Sequence, residues 1–356
     1  MILFLRKRWF LIALTFLISV GMGLGLRAPE QATQATAWIN PMVTTAIVLV
    51  LMAFTLDSGM LAASFRSPGP VVLGCLMNAV FVPVFTLLLS PLQIGNEFRY
   101  GIVIAGSVPC TLAAASVWTR KARGNDAVSL LVTLVTNGGS FLVAPFWLMI
   151  IDRWVASQSG AEGAFASIDG GIIDAPKMMY KLFLAVLLPT LAGQLLRQIK
   201  VLAGIATRFK EPIGVIAQSL ILLLVFVNAV GGGTSIQTSG APGAISGVAV
   251  VWISCIVVHV VALYVALTLA RRLRFSRADQ AAVAFAGSQK TLPVGILIAN
   301  EVARNSGLSF AIFPILMYHI SQLFIDTAIA DSLAAAAHRA AAAEREESSP
   351  APEAPL

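Results

Sequence analysis

An all-α polytopic membrane fold with ten transmembrane helices is the architecture this sequence predicts, and three observations predict it. Only 12% of the 356 residues are charged against 58% hydrophobic, and the mean hydropathy is +0.85. A water-soluble domain carries about 25% charged residues, so there are too few polar groups to cover a body of this size. The apolar residues also come in long charge-free blocks, such as Trp9 to Leu26 and Pro41 to Leu56. Blocks of about 18–20 residues match the hydrocarbon thickness at the rise of an α-helix. No period of two runs through them, which excludes a lipid-embedded barrel and leaves the helix as the way to satisfy the backbone.

Apolar length and breaker residues place the spans at roughly 9–27, 40–63, 68–91, 98–119, 125–151, 178–198, 213–232, 244–270, 278–301 and 306–331. The first follows Arg6, Lys7 and Arg8 and is longer than the apolar core of a signal peptide, so it reads as a retained span. The fourth contains Pro109 and the ninth Pro293. With the N-terminus inside, 17 of the 24 basic residues fall on the inner side and 6 on the outer, leaving Lys290 within a span. The positive-inside rule then puts both termini in the cytoplasm. Two five-span halves, 1–152 and 178–331, flank an outside loop at 153–177 rich in Ser, Gly and acidic residues. In the tail, 332–356, Leu333 to Glu347 continues as an Ala-rich helix and the Pro-rich end reads as disordered.

The net charge of +7 lies in short clusters between apolar blocks, so it reads as a topology signal and excludes nucleic acid as a partner. Cys75, Cys110 and Cys255 fall inside apolar segments with no metal-binding spacing. Three scattered histidines and the absence of HExxH and GxSxG motifs argue against an intramembrane enzyme. Short loops and the absence of an organelle signal point to a bacterial inner membrane, with the bilayer as a partner.

The two halves carry an internal repeat. Ala105-Gly106-Ser107-Val108-Pro109-Cys110-Thr111-Leu112 in the fourth span resembles Ala286-Gly287-Ser288-Gln289-Lys290-Thr291-Leu292-Pro293 in the ninth. Halves of five spans must be inverted relative to one another, and inverted repeats with one interrupted helix each mark many secondary transporters. Proline removes a backbone donor and small residues loosen the helix, so Pro109 and Pro293 are read as structural breaks. Thr111, Ser288, Gln289, Lys290 and Thr291 are then candidates to face a substrate or ion.

The stretch from Pro109 through Arg123-Gly124-Asn125 to Ser129, Thr133 and Pro145 resembles the bile acid:sodium symporter family. Gly287-Ser288-Gln289-Lys290-Thr291-Leu292-Pro293-Val294-Gly295 is most similar to its family 7-like branch of cation–proton antiporter relatives. The resemblance covers essentially all ten spans. It implies a panel of spans 1, 2, 6 and 7, a core of spans 3–5 and 8–10, and broken spans 4 and 9 crossing beside the substrate. It implies sodium-binding positions at Asn78, Ser116, Ser129, Thr133 and Gln289, with a metal site at Ser116, Ser129, Thr133 and Gln289. Two positions depart from the pattern. Phe285 stands where symporters with a defined sodium site have a glutamate, and Ala115 replaces another ligand.

Lys290 follows Gln289 directly. A buried ammonium is costly unless paired, so it reads either as an internal cation in the place of a bound ion or as a structural lysine bonded to carbonyls of the crossing. A fixed positive charge would repel sodium, and transport is expected to need no Na⁺ or to use H⁺. Asp57 and Asp326 read as snorkelling or capping residues near inner helix ends, and His259 and His319 as isolated, hydrogen-bonded core residues. Ser129 and Thr133 share a helix face at i, i+4. The expected function is secondary transport of an organic anion by alternating access. A cation–proton antiporter-like exchanger and a non-transporting membrane regulator are the alternatives. No cofactor is expected beyond Na⁺ or H⁺ as coupling ion.

Overall fold

The computed structural model describes residues 2–57, 68–112, 114–158, 173–239 and 244–348. Among them the protein is helical throughout, with no strand. The helices are α1 (Ile2–Arg27), α2 (Pro29–Thr36), α3 (Pro41–Thr55), α4 (Pro68–Leu92), α5 (Asn96–Ser107), α6 (Ala114–Lys121) and α7 (Asp126–Gln158). The second half has α8 (Ala175–Gln198), α9 (Lys200–Arg208), α10 (Lys210–Ser239), α11 (Ala244–Arg272), α12 (Arg277–Ser288), α13 (Leu292–Ser306) and α14 (Phe313–Ser348). By length and composition eight of the spans they form can cross a membrane, or nine if α2 and α3, bent by 48°, count as one. This is a multi-pass membrane protein.

The segment read as the fourth span is two helices, α5 and α6, each too short to cross alone. Helix α2 lies where the sequence reading placed a connection. Pro29 opens it with its φ already helical, Glu30 sits in the first turn, and Ala, Gln and Thr fill the rest. Helix α7 extends past the expected span end into the outside loop. Helix α14 carries the Ala-rich continuation to Ser348. Residues 159–172 of the loop and 349–356 of the tail lie outside the described residues.

Local chemistry fixes the helix ends. Asn40 caps α3 by accepting from Met42 N and Val43 N, with Pro41 in the first turn. Ser276 caps α12 by accepting from Asp279 N at 3.1 Å. Gly307 ends α13 in the left-handed conformation at φ +73°.

One irregularity lies inside α4. Pro83 has no N–H to give Ala79 O, and Val82 N reaches back to Met77 O through a π-turn at Met77–Phe81. The carbonyls of Asn78 and Ala79 are thereby released from the helix ladder. Trp147 Nε1 donates to Ala79 O at 3.0 Å. The partner of Asn78 O belongs to the site described below.

The helices pack in two groups. Helix α1 lies along α10, which contacts α3, and α3 packs on α8. In the other group, α12 contacts α4, α6, α7 and α11, while α5 contacts α4, α7 and α14. Glycines allow the closest approach in the first group. A Cβ on Gly25 would lie 2.1 Å from Val230 O, and one on Gly233 would lie 2.3 Å from Met22 O. Of the Gly231-Gly232-Gly233 run, read as permitting close backbone approach, Gly233 does so most tightly, while Gly231 has nothing within 4 Å of a built Cβ.

Gly25→Leu therefore forces α1 away from α10 and lowers the melting temperature of the purified protein by an amount reflecting about 1–3 kcal/mol of overpacking. Gly231→Ala, whose methyl meets nothing, leaves the melting temperature unchanged or raises it. Equal effects at the two positions would contradict the packing.

Candidate functional site

Two helices stop inside the protein and their breaks touch. After α5, Val108 is extended (φ −69°, ψ 154°), and its N–H is the last to bond back into the helix, to Ile104 O. After α12, Gln289 is extended (φ −74°, ψ 146°) and its N–H bonds to Phe285 O. Thr291 N then donates across the gap to Pro109 O at 2.9 Å. Pro109 lies within its break as read from the sequence. Pro293 instead falls in the first turn of α13, where it restarts the helix, so the second break is centred on Gln289–Thr291.

The backbone groups left open at these breaks are fully buried and need partners. Lys290 is 0% exposed. Its Nζ donates to Asn78 O at 2.6 Å, Val108 O at 3.0 Å and Asn78 Oδ1 at 3.3 Å. The first of these is the carbonyl released by the α4 π-turn. Asn78 Nδ2 donates to Gln289 O and Ala286 O, capping the end of α12. Gln322 on α14 holds both backbone groups of Lys290, accepting from its N–H and donating to its carbonyl, each at 2.9 Å. Asn137 on α7 donates to Cys110 O at 2.7 Å and Tyr318 to Ser288 O at 2.8 Å.

Asp326 lies elsewhere than the sequence suggested. It is 0% exposed, not a snorkelling or capping group, and it accepts from Gln289 Nε2 at 2.5 Å. His259 Nε2 lies 2.8 Å from its other oxygen, so His259 is the buried, hydrogen-bonded residue expected and Asp326 is its partner. The α14 backbone carries Asp326 inward on the face that also presents Gln322 and His319, at spacings of four and seven residues. His319 is hydrogen-bonded to Gln322. That polar stripe on an apolar helix was the signal available for Gln322 and Asp326. Asp57 lines the second of the two cavities described below.

The structure brings Asn78, Gln289, Lys290 and Thr291 together at the crossing. Ser288 turns back to Ala284 O. The sodium-binding candidates divide. Ser116 donates to Asp126 and accepts from Arg120 Nη1 at 3.0 Å, within an Arg120–Asp126 ion pair of 2.7 Å. Thr133 donates to Cys110 Sγ. Ser129 Oγ and Gln289 Oε1 are buried oxygens without a partner among the described residues. A guanidinium beside Ser116, an ammonium in the Asn78 oxygens and no free carboxylate make this donor set a poor fit for a sodium ion. No group of three metal-ligating His, Cys, Asp or Glu exists among the described residues.

Between the two helix groups lies a cavity of about 530 Å³. Trp9, Phe10, Met52, Ile221 and Leu323 give it apolar walls, and Thr111 and His319 bring it to the break region. A second cavity of about 530 Å³ shares Met52, Val117 and Gln218 with it and carries Arg120, Asp126 and Lys210. On α13, far along the chain from these residues, Glu301 accepts from Lys181 of α8 at 2.5 Å, both largely shielded, with Arg304 Nη1 at 3.6 Å.

A multi-pass helical protein with two interrupted helices meeting in its interior, beside a cavity between helix groups, defines a membrane transporter. The chain belongs to the SBF-like CPA transporter family, whose model matches residues 8–335. It is 26% identical over 257 residues to a putative symporter of Escherichia coli, covering 70% of this chain and 71% of that one. It is 22% identical over 315 residues to a probable chloroplastic sodium/metabolite cotransporter of Arabidopsis thaliana, covering 87% and 69%. It is 24% identical over 346 residues to sodium/bile acid cotransporter 7 of Danio rerio, covering 92% and 94%.

Lys290→Met keeps the stem but removes the donor from Asn78 O and Val108 O. Each buried group left unsatisfied costs about 1–3 kcal/mol, so the melting temperature falls measurably. Gln322→Leu, which frees both backbone groups of Lys290, lowers it comparably. Wild-type melting for both variants would remove this network as the support of the breaks.

Proposed function

We propose that the chain is a secondary active transporter that moves an organic anion by alternating access. In this reading ten crossing segments form two inverted five-helix repeats, residues 1–152 and 178–331, with 332–356 as a cytoplasmic tail. Helices α1, α3, α8 and α10 make a panel that moves against the remaining core. The protein sits in a bacterial inner membrane with both termini cytoplasmic, as the distribution of its basic residues indicates.

The observation that carries this is the contact of the two breaks, Thr291 N to Pro109 O, with Lys290 at its centre. Further support comes from matched caps. An amide from the second helix after each break, Asn137 of α7 for the first and Gln322 of α14 for the second, bonds to a carbonyl within it. The first cavity suits the apolar body of an amphipathic anion, with walls at Phe10 and Leu323 and Lys121 at its edge, while in the second Arg120 is paired with Asp126 and Lys210 lies among Asp57 and Glu211. Lys181 and Glu301 tie panel to core, and on this reading they close the outer side while the cavity opens inward.

Relatives carry sodium in their names. In this chain Phe285 and Ala115 lack the expected oxygen ligands, and Lys290 Nζ fills three oxygen contacts at the crossing. Transport is therefore read as independent of sodium, with Lys290 standing where a coupling ion would sit. Of the remaining candidates, Gln289 adjoins that position and Thr133 bonds to Cys110 of the first break, while Ser116 belongs to the Arg120–Asp126 pair and Ser129 is buried on the same helix as Thr133. The buried Asp326–His259 pair beside Gln289 favours a second reading, a cation–proton antiporter-like exchanger with H⁺ as the coupling ion.

Purified protein in Na⁺ and in K⁺ buffers, titrated with bile acids, keto acids and other organic anions, tests this through ligand-induced thermal stabilisation. The expected result is a rise in melting temperature that is equal in both buffers. Stabilisation that requires Na⁺, which K⁺ cannot replace, would overturn sodium independence. Proton flux without anion binding in reconstituted vesicles would support the exchanger, and no flux of either kind would leave a membrane regulator.

Glu301→Gln weakens the Lys181 tie. It is expected to increase labelling of a cysteine placed beside Lys181 from the outer side by several-fold. Unchanged labelling would show that this pair does not hold the outer side shut.

A further inference from the structure

A cavity of about 600 Å³ lies at the basic end of the core, away from the transport site. Four elements frame it: the turn between α6 and α7 with Ala122 and Arg123, the end of α11 with Leu267 and Arg271, the start of α12 from Arg277 to Ala281, and α14 from Leu333 to Arg339. Arg123, Arg271, Arg277 and Arg339 all line it, and no acidic residue does. None of the four forms an ion pair among the described residues. The nearby carboxylates are engaged elsewhere. Asp279 accepts from Ser276 and Asn125, each at 2.8 Å, and Asp331 pairs with Lys121 at 2.7 Å.

The backbone brings Arg123 and Arg277 to the same end of the core. Arg123 is left-handed at φ +59°, an uncommon conformation for a residue with a side chain. Gly124 N bonds back to Thr119 O at 2.7 Å and Asn125 N bonds to Ala278 O at 2.9 Å. These bonds stitch the α6–α7 turn onto the first turn of α12, so Arg123 and Arg277 share one rim. All four guanidiniums are exposed at the rim of the cavity, and no carboxylate lines it with them, so it presents a positive mouth to an anion.

We infer that this cavity binds the phosphate headgroup of an anionic phospholipid. Guanidiniums are planar forks matched to phosphate oxygens. The apolar wall of Leu267, Leu333, Ala336 and Ala337 offers a surface for acyl chain, which a soluble phosphate compound does not need. The apolar span of α11 ends at Arg272, so the cavity stands at the depth where hydrocarbon gives way to headgroups. The inference is independent of the transport reading, since it uses none of the residues of the crossing.

The test uses the purified full-length chain in neutral detergent with dioleoyl phosphatidylglycerol, dioleoyl phosphatidylcholine or glycerol 3-phosphate. Bound lipid is counted by native mass spectrometry and melting temperature is followed in parallel. Phosphatidylglycerol is expected to be retained and to raise the melting temperature, with neither control doing so. R271Q/R277Q is expected to reduce retention at least five-fold. K200Q/R208Q, an equal loss of charge on α9, is expected to retain lipid as the wild type does. Equal stabilisation by glycerol 3-phosphate would overturn the lipid in favour of a soluble anion. Equal retention of phosphatidylcholine, or an equal loss in both double variants, would overturn the site. Arg339→Gln on its own is expected to fold with wild-type melting in plain detergent and to bind less phosphatidylglycerol. Wild-type binding by R339Q would exclude Arg339 from the site.

Discussion

An interrupted helix inside a membrane protein exposes N–H and C=O groups where no water answers them, and this constraint shapes the rest of the molecule. Two interruptions placed in contact satisfy one another only in part, through Thr291 N and Pro109 O. The rest is supplied by side chains from three other helices. Asn78, Asn137 and Gln322 are each buried and each bonded to a carbonyl of a break or a helix end. Tyr318 and Lys290 supply further donors, and one acceptor of Lys290 exists because Pro83 opened the α4 ladder five residues from Asn78. A single proline thus creates an acceptor in one half of the chain for a cation in the other. Removing either member strands the other, which couples positions more than 200 residues apart.

The helical class, most span limits and the two interruptions were legible in the amino-acid order because they follow from local properties: apolar length, proline and small residues. Lys290 drew attention as a charge inside an apolar block. The partners of Lys290 were harder to read. Asn78 Oδ1 is an ordinary polar atom until the π-turn at Met77–Phe81 sets its backbone carbonyl free. Asp326 looked like a helix-end group because depth along a helix does not reveal which face turns inward, and α14 turns this residue to Gln289 and His259. Ser116 was assigned by resemblance to an ion site. Arg120 stands one turn on along the same helix, and the α6–α7 turn folds Asp126 back, so that the two close around Ser116. Side-chain pairing sets these outcomes, and no periodicity encodes it.

The two helix groups differ in how they are held. The core is stitched by buried polar bonds with defined directions, which resist sliding. The α1–α10 contact instead relies on backbone approach at Gly25 and Gly233, which is tight but carries no directional bond between the groups. Between the two helix groups, the cavity lined by Phe10, Met52 and Leu323 thins the packing on one side, while α8 packs on α7 and Lys181 pairs with Glu301 on the other. Rigid-body motion is easiest where packing is sparse and apolar, and hardest across a network whose every member has a partner.

The covalent attachment of Lys290 has an electrical consequence. A coupling ion taken from solution adds its charge only when bound and leaves with the cargo, so voltage acts on the loaded carrier. An ammonium fixed to the chain stays through the whole cycle. On the transport reading proposed above, a bound anion would offset this charge, and the empty carrier would return with it uncompensated. Membrane voltage, worth about 2.3 kcal/mol per charge per 100 mV, would then act on the empty return rather than on the delivery.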